Sequence, residues 1–223
     1  CVSAHHLSHT LPFSSPMNFR QFYCLYLQAE PLYSVCMERV FGPVPSRRLG
    51  RSIGINNIPP KVCTYSCVYC QLGKAIEMAA QRRSFYEPDE LIEETGRKVE
   101  QARSRGDQID YLTIVPDGEP TLDGRLGELI VGLRSYGIKT ALISNGSLLG
   151  DPQLREELLG LDWISVKVDS VDEAVWRKTD RPHKSLAFGR MLAGTLTLAE
   201  SFEGTFTTET MLIRGLNDTP KQI

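Results

Sequence analysis

The alternation of short apolar runs with amphipathic stretches constrains the fold of this chain more than any other feature of its sequence. Apolar and β-branched runs predict five strands, and most of the segments between them carry apolar residues at helical spacing. The predicted strands are 51–56, 109–115, 138–144, 163–168 and 205–213. Strands that alternate with helices are typical of βα units. The sequence therefore predicts an α/β fold with a parallel sheet, either closed into a barrel or open.

The predicted helices are defined by their apolar faces and by the residues at their ends. The first begins near Pro88 and ends before Gly106, and the third has Asp151 as its N-cap with Pro152 at its first position. The last, over 185–202, is weakened by two glycines and two threonines. The predicted buried positions of the first two helices are Leu91, Ile92, Thr95, Val99 and Ala102, and then Leu126, Leu129, Ile130 and Leu133.

Polar, glycine-bearing or cysteine-bearing segments follow each predicted strand. The segment CTYSCVYC follows the first strand, PDGEPTL the second, SNGSLL the third and a stretch beginning at Asp169 the fourth. Because the carboxyl ends of parallel strands meet at one edge of a sheet, ligands bind there in α/β folds. The sequence therefore predicts that these segments form one site.

Three of the six cysteines, Cys63, Cys67 and Cys70, lie within eight residues. Thiolates are soft ligands that suit zinc or iron–sulfur clusters. A structural zinc site needs four ligands, but no cysteine follows Cys70, and the only later histidine is His183. Three thiolates on a cluster of four irons leave one iron open for chemistry. A zinc site and three reduced cysteines packed in a turn are the alternatives.

The CxxxCxxC spacing, with Tyr69 before the third cysteine, resembles the signature loop of the radical S-adenosylmethionine (SAM) superfamily. The resemblance implies that Cys63, Cys67 and Cys70 hold a [4Fe–4S] cluster whose fourth iron chelates SAM. It also implies that reductive cleavage of SAM gives a 5′-deoxyadenosyl radical that abstracts hydrogen from a substrate. The implied fold is a partial (β/α)6 TIM-type barrel. Since five strands are visible, we expect the C-terminal part of that barrel to be missing.

Further segments resemble the SAM-binding motifs of the superfamily. Gly118, Glu119 and Pro120 resemble the motif that binds the SAM amino group, and Ser144 and Asn145 resemble the segment that holds its carboxylate and ribose. Asp169, after the fourth strand, is a candidate contact for the SAM ribose or the substrate, and Tyr69 is counted with the cofactor-binding residues. The alternatives are a solvated turn carboxylate for Glu119, a plain Asn-Gly turn, and a helix N-cap or solvated loop at Asp169.

Two flanking segments restrict the resemblance to a smaller group within the superfamily. VFGPVPSRRLGRSIGIN and TETMLIRGLND resemble a short group of radical SAM proteins close to the wyosine-type tRNA synthases. A wyosine synthase carries elements for flavin or a second cluster, and no second cysteine trio is present here. The substrate and the catalytic residues are therefore unassigned. The alternatives are tRNA modification, activation of a glycyl-radical enzyme, and a zinc-stabilised binding module without turnover.

The two ends of the chain differ from its middle. Residues 1–36 hold only two charged side chains, and we expect them to be an atypical extension upstream of a start at Met37. The core domain is predicted over 37–223, with its C-terminal part missing.

No run of about 18 apolar residues indicates a membrane span. An oxygen-sensitive cluster points to the cytoplasm and implies an electron donor of the flavodoxin or ferredoxin type.

The net charge of −2 gives no overall attraction to nucleic acid, but basic residues cluster locally. Such clusters bind the phosphates of RNA or of a small substrate if they converge at the strand ends. The alternative is ordinary solvated charge interspersed with acids. The clustered residues are Arg47, Arg48, Arg51, Arg82, Arg83, Arg177, Lys178, Arg181, His183 and Lys184.

Overall fold

The computed structural model describes residues 38–220, so the hypotheses about residues 1–36 and a start at Met37 lie outside the described residues. The strands are β1 Val40–Ser46, β2 Gly50–Ile55, β3 Val62–Cys63, β4 Glu77–Met78, β5 Tyr111–Ile114, β6 Lys139–Ser144, β7 Trp163–Lys167 and β8 Thr205–Glu209. The helices are α1 Pro88–Ser104, α2 Leu126–Arg134, α3 Pro152–Leu158, α4 Glu173–Thr179 and α5 Phe188–Ser201, with a 3-10 turn at Pro120–Leu122.

Six strands form one sheet in the order β1-β2-β5-β6-β7-β8, in which every neighbouring pair is parallel except β1 and β2. The predicted α/β fold and parallel sheet are confirmed. The prediction for 205–213 is too long, because β8 ends at Glu209. Beyond it the Met211 amide donates to the Asp169 carboxylate (2.7 Å), so the chain turns away from the sheet toward a side chain.

The sheet is curved, although it forms no closed barrel within residues 38–220. β1 and β8 lie at opposite edges, yet Arg48, in the turn between β1 and β2, pairs with Glu209 at the end of β8 (Nη2–Oε2 2.9 Å). Beside it, Leu49 packs against Ala141 of β6 and Trp163 of β7. The turn therefore crosses the concave side of the sheet, as the curvature of a partial barrel requires.

Strand β1 and helix α4 are the longest elements that were not predicted from the sequence; the two-residue strands β3 and β4 and the 3-10 turn were not predicted either. β1 contains Pro43 and Pro45, residues that usually argue against a strand. The two prolines are tolerated because β1 is an edge strand, where a missing amide donor costs no hydrogen bond of the sheet on the open side. The second missed element, α4, begins where Asp172 accepts hydrogen bonds from the amides of Ala174 (2.8 Å) and Val175 (3.0 Å).

The core lies between the sheet and the helices α1, α2, α3 and α5. The predicted faces of α1 and α2 are buried as expected, except that Ile92 is only half-buried. They pack on Ile53 and Ile55 of β2 and on Leu112 and Ile114 of β5. The buried apolar faces thus fix the strands whose carboxyl ends carry the site.

The two glycines that weaken α5 on propensity grounds have different surroundings. A Cβ atom on Gly194 would lie 2.0 Å from the carbonyl oxygen of Leu149, so this glycine lets the helix approach the loop after β6. A Cβ atom on Gly189 would meet nothing within 4 Å. Close packing therefore explains one of the two glycines.

A Gly194→Ala variant is expected to lose about 2–3 kcal/mol of unfolding free energy, because backbone must move to admit the methyl group. Gly189→Ala is the matched control in the same helix and is expected to gain up to about 1 kcal/mol through helix propensity. Urea unfolding followed by circular dichroism measures both. Equal stability of the two variants would contradict the packing argument.

Candidate active site

The cysteine loop begins at the end of β3 and is held by the segment after α4. The Ser66 amide donates to the Asp180 carbonyl (3.0 Å), and the Val68 amide donates to the Thr179 carbonyl (2.9 Å). In return, the His183 amide donates to the Thr64 carbonyl (2.8 Å). The loop therefore has a defined path across the edge of the sheet, supported by residues far away in sequence.

The three cysteines of this loop are free thiols, with Cys63 and Cys67 half-buried and Cys70 exposed. Burial, and then the charge of Glu119, raises the pKa of Cys63 to about 12. Burial and the charge of Asp180 also raise the pKa of the Cys67 thiol. A bound cationic group reverses this effect, because a coordinating thiol loses its proton outright. The anionic surroundings of the thiols therefore fit a cationic cofactor.

Within residues 38–220, no three His, Cys, Asp or Glu side chains gather closely enough to bind one metal ion. A single zinc needs four donors at about 2.0–2.3 Å from one point. An iron–sulfur cluster is larger, and its cysteines bind different irons. Three unpaired thiols spread along one loop therefore fit a cluster better than a single zinc ion.

Glu119 is buried beneath the loops that follow β5 and β6, with an exposed fraction of 1%. Its Oε1 atom accepts hydrogen bonds from the Thr121 amide and hydroxyl and from the Ser144 hydroxyl (2.7 Å). Its Oε2 atom accepts the Asn145 amide (2.8 Å). Burial raises the pKa of Glu119, although these donors act in the opposite direction. The interpretation of Glu119 as a solvated turn carboxylate is wrong, because Glu119 is buried. Its carboxylate instead joins its own motif to the one at Ser144 and Asn145.

Gly118 and Pro120 place Glu119 in this position. A Cβ atom on Gly118 would lie 2.1 Å from the carbonyl oxygen of Val62, so glycine is required where the chain runs against β3. The carbonyl of Pro120 accepts a hydrogen bond from the buried side chain of Asn57 (3.1 Å). The motif is thus attached to the strand from which the cysteine loop starts.

Thr64 joins the cysteine loop to the segment after β6, and the sequence analysis missed it. Its buried hydroxyl oxygen accepts hydrogen bonds from Asn145 Nδ2 (2.8 Å) and from the Ser147 hydroxyl (2.7 Å). Asn145 Nδ2 also lies 3.7 Å from Cys63 Sγ. A threonine inside a polar loop gives no sequence signal, because its partners lie about 80 residues away.

Tyr69 and Asp169 come together on the other side of the loop. The Tyr69 hydroxyl donates to the Asp169 carboxylate and lies 3.3 Å from Asp180 Oδ1, which also accepts the Cys67 thiol (3.4 Å). Burial and the neighbouring charge of Asp169 raise the pKa of Asp180 to about 7. Asp169 is neither a helix cap nor solvated, because it is buried and Asp172 caps α4. Asp180, like Thr64, gave no sequence signal.

Comparison with known proteins identifies the family of the chain. The family model of the Radical SAM superfamily matches residues 57–222. The chain belongs to the radical SAM superfamily. Membership of this superfamily supports an enzyme of SAM-dependent radical chemistry, and it implies SAM and an iron–sulfur cluster as cofactors. The individual roles of the predicted site residues stay predictions.

Relatives of this radical SAM chain include the UPF0026 proteins of Methanocaldococcus jannaschii and Helicobacter pylori strain J99. The first is 43% identical over 187 residues, which is 84% of this chain and 58% of the relative. The second is 36% identical over 187 residues, 82% of this chain and 59% of the relative. The chain thus spans somewhat more than half the length of these relatives.

A shorter match joins the radical SAM chain to the S-adenosylmethionine-dependent nucleotide dehydratase of Lacinutrix mariniflava. The two are 35% identical over 85 residues, which is 38% of this chain and 16% of that protein.

Solved structures share the fold. A radical SAM methyltransferase from Sphaerobacter thermophilus aligns with a TM-score of 0.58 at 14% identity, over 77% of this chain and 50% of that one. TYW1 with a lysine–pyruvate adduct bound aligns with a TM-score of 0.53 at 21% identity, over 75% of this chain and 57% of that one. At these identities the likeness extends to the fold, and it confirms the predicted radical SAM type of α/β barrel architecture.

Half of the clustered basic residues of the radical SAM chain form ion pairs. Their carboxylate partners favour the interpretation of interspersed, partly solvated charge for these five residues. The pairs are Arg48–Glu209, Arg51–Asp107, Arg82–Glu157, Arg83–Glu77 and Arg177–Glu173. The helices of residues 38–220 are each too short or too polar to cross a lipid bilayer.

Proposed function

We propose that this chain binds a [4Fe–4S] cluster through Cys63, Cys67 and Cys70 and cleaves SAM reductively to abstract hydrogen from a substrate. Superfamily membership supports the general chemistry. The observation that carries the specific proposal is the set of hydrogen bonds among three separate segments. Thr64 of the cysteine loop contacts Asn145, and Asn145 contacts Glu119.

Each of these residues has a task in the proposal. The thiolates hold the cluster, which when bound and reduced supplies the electron that breaks a carbon–sulfur bond of SAM. Glu119 fixes the segment at Ser144 and Asn145. Within residues 38–220 its Oε2 atom accepts one hydrogen bond, which leaves acceptor capacity toward the SAM ammonium. Asn145 orients that segment against Thr64 beside Cys63. Tyr69 and Asp169 close the opposite side and exclude water.

We also propose a substrate that contains a nucleotide, with tRNA as the candidate. The support is the match to the nucleotide dehydratase of Lacinutrix mariniflava and the resemblance to wyosine-type synthases. A flavodoxin-type or ferredoxin-type electron donor completes the proposal, because the cleavage consumes one electron from outside the chain.

Anaerobic reconstitution with iron and sulfide, followed by dithionite and SAM, tests the proposal. We expect about four irons and four sulfides per chain, and 5′-deoxyadenosine and methionine as products detected by chromatography. Uptake of zinc without acid-labile sulfide would contradict the proposal and favour a zinc-stabilised binding module. A chain that holds the cluster and yields no 5′-deoxyadenosine with dithionite and SAM would contradict the SAM-cleaving role.

A further inference from the structure

An open cavity of about 510 Å³ lies beside the proposed site. It is lined by residues from 80–82, from the loop after β6 at 147–151, and from 185–191 at the start of α5. Its volume falls in the range of about 300–1,000 Å³ that is typical of small-molecule sites. The residues predicted to bind the cluster and SAM do not line it. The cavity therefore adjoins the proposed site but is lined by other residues.

Two arginines give this cavity cationic donors. Arg190 is exposed and its side chain has no hydrogen bond or ion pair with the described residues, 38–220. Arg82 binds Glu157 and the Asp123 carbonyl (2.9 Å), but its buried Nε donor has no partner. A buried donor without an acceptor destabilises the fold. Arg190 can therefore bind an anionic ligand without breaking an ion pair, and Arg82 adds a positive charge with one donor that no described residue accepts.

The start of α5 adds to this positive character. Its N-cap is Ala187, which supplies no side-chain hydrogen bond, and its first turn has no acidic residue. Arg190 lies instead in that first turn, where the helix dipole disfavours a cation. The other four helices of residues 38–220 each have a capping carboxylate or an acidic residue in the first turn. An anion in the cavity would satisfy the free amides and the arginine together.

One acidic residue, Asp151, also lines the cavity. Its Oδ1 atom accepts the Gln153 amide (3.0 Å), because Asp151 is the N-cap of α3. That role holds its charge at the start of another helix, where it is stabilised. Because Arg82 is paired with Glu157, Arg190 is the lining cation that has no ion pair within residues 38–220 and that can meet an anion.

The cavity is connected to the proposed site through Ser147. This residue lines the cavity and donates its hydroxyl to Thr64, the neighbour of Cys63 (2.7 Å). We infer that the cavity binds a phosphate group of the substrate, between Arg190, Arg82 and the start of α5. That the phosphate group belongs to the substrate rests on the proposed function, whereas the phosphate site itself does not. Free nucleotides and RNA share this phosphate chemistry.

Calorimetric titration of the full chain with inorganic pyrophosphate tests the site, because this probe carries no base and needs no cluster. We expect saturable binding, weakened at least about tenfold in Arg190→Gln through loss of a charge-assisted hydrogen bond. Arg105→Gln is the matched control, since Arg105 is an exposed arginine outside the cavity that has no ion pair within residues 38–220. This variant should bind pyrophosphate like the unchanged chain. Absence of binding, or equal affinity in both variants, would overturn the inference.

A second titration with an unmodified tRNA transcript distinguishes the two sources of phosphate. If the site binds RNA, Arg190→Gln weakens transcript binding and lowers its salt dependence. If the site binds free nucleotides, only pyrophosphate binding weakens. The 5′-deoxyadenosine assay is independent of both titrations. A chain that cleaves SAM but does not bind pyrophosphate would contradict this inference alone. A chain that binds pyrophosphate without cleaving SAM would contradict the proposed function alone.

Discussion

A Cys67→Ala variant is expected to fold and to lose SAM cleavage to the background level. Removal of this thiol leaves two cysteines in the loop, too few to hold a cluster that keeps one iron open for SAM. The cost to stability is small, because Cys67 is half-buried and its Sγ atom makes only a long contact with Asp180, at 3.4 Å, within residues 38–220. We expect a loss of about 1 kcal/mol of unfolding free energy.

The measurements are iron content, sulfide content and 5′-deoxyadenosine after anaerobic reconstitution. Val68→Ala is the matched control, because Val68 lies in the same loop, is exposed and supplies no thiolate. The control should keep the iron content and the product yield of the unchanged chain. A Cys67→Ala variant that still cleaves SAM would refute the cluster assignment.

The fold was largely predictable because its elements carry their periodicity in the local sequence. The faces of α1 and α2 and the apolar runs of β5, β6 and β7 each signal one element without reference to the rest. The missed strand β1 shows the limit of this reasoning. Its prolines argue against a strand locally, and only its place at the sheet edge, a property of the tertiary fold, makes them acceptable.

The site was predictable where a motif has a fixed spacing and unpredictable where residues meet across the fold. Cys63, Glu119 and Asn145 were found because each lies in a motif after a strand. Thr64 and Asp180 were missed because the partners of their side chains are distant in sequence, as with Tyr69 and Asp180, 111 residues apart. Single polar residues of this kind have no period and no spacing, so only the structure identifies them.

A Glu119→Ala variant is expected to lose at least about 3 kcal/mol of unfolding free energy. The substitution leaves the Thr121 and Asn145 amides and the Ser144 hydroxyl without their acceptor in a buried place, and each such group costs about 1–3 kcal/mol. The segments after β5 and β6 would separate, and SAM cleavage should be lost with them. Denaturant unfolding and the 5′-deoxyadenosine assay measure the two losses.

The Glu119→Gln variant separates the effect of the carboxylate charge from the effect of the side chain's hydrogen bonds on the loop structure. The amide side chain keeps one oxygen for Ser144 and Thr121 but turns a donor toward the Asn145 amide, so we expect a loss of about 1–2 kcal/mol at neutral pH. If Glu119 contacts the SAM ammonium, KM for SAM should rise at least about tenfold with a smaller change in kcat. An unchanged KM in a folded Gln variant would show that Glu119 only positions its neighbours.

The pH dependence of the unfolding free energy gives a second comparison between Glu119→Gln and the unchanged chain. Burial raises the pKa of Glu119 above its ordinary value of 4.5, so the folded chain binds this proton more tightly than the unfolded chain. The contribution of Glu119 to the unfolding free energy is therefore largest below pH 4.5 and falls as pH rises through the folded pKa. Glu119→Gln lacks this slope, so its deficit relative to the unchanged chain should shrink as pH rises. A deficit that grows with pH would mean that the buried carboxylate is stabilised in its charged form by the four donors around it.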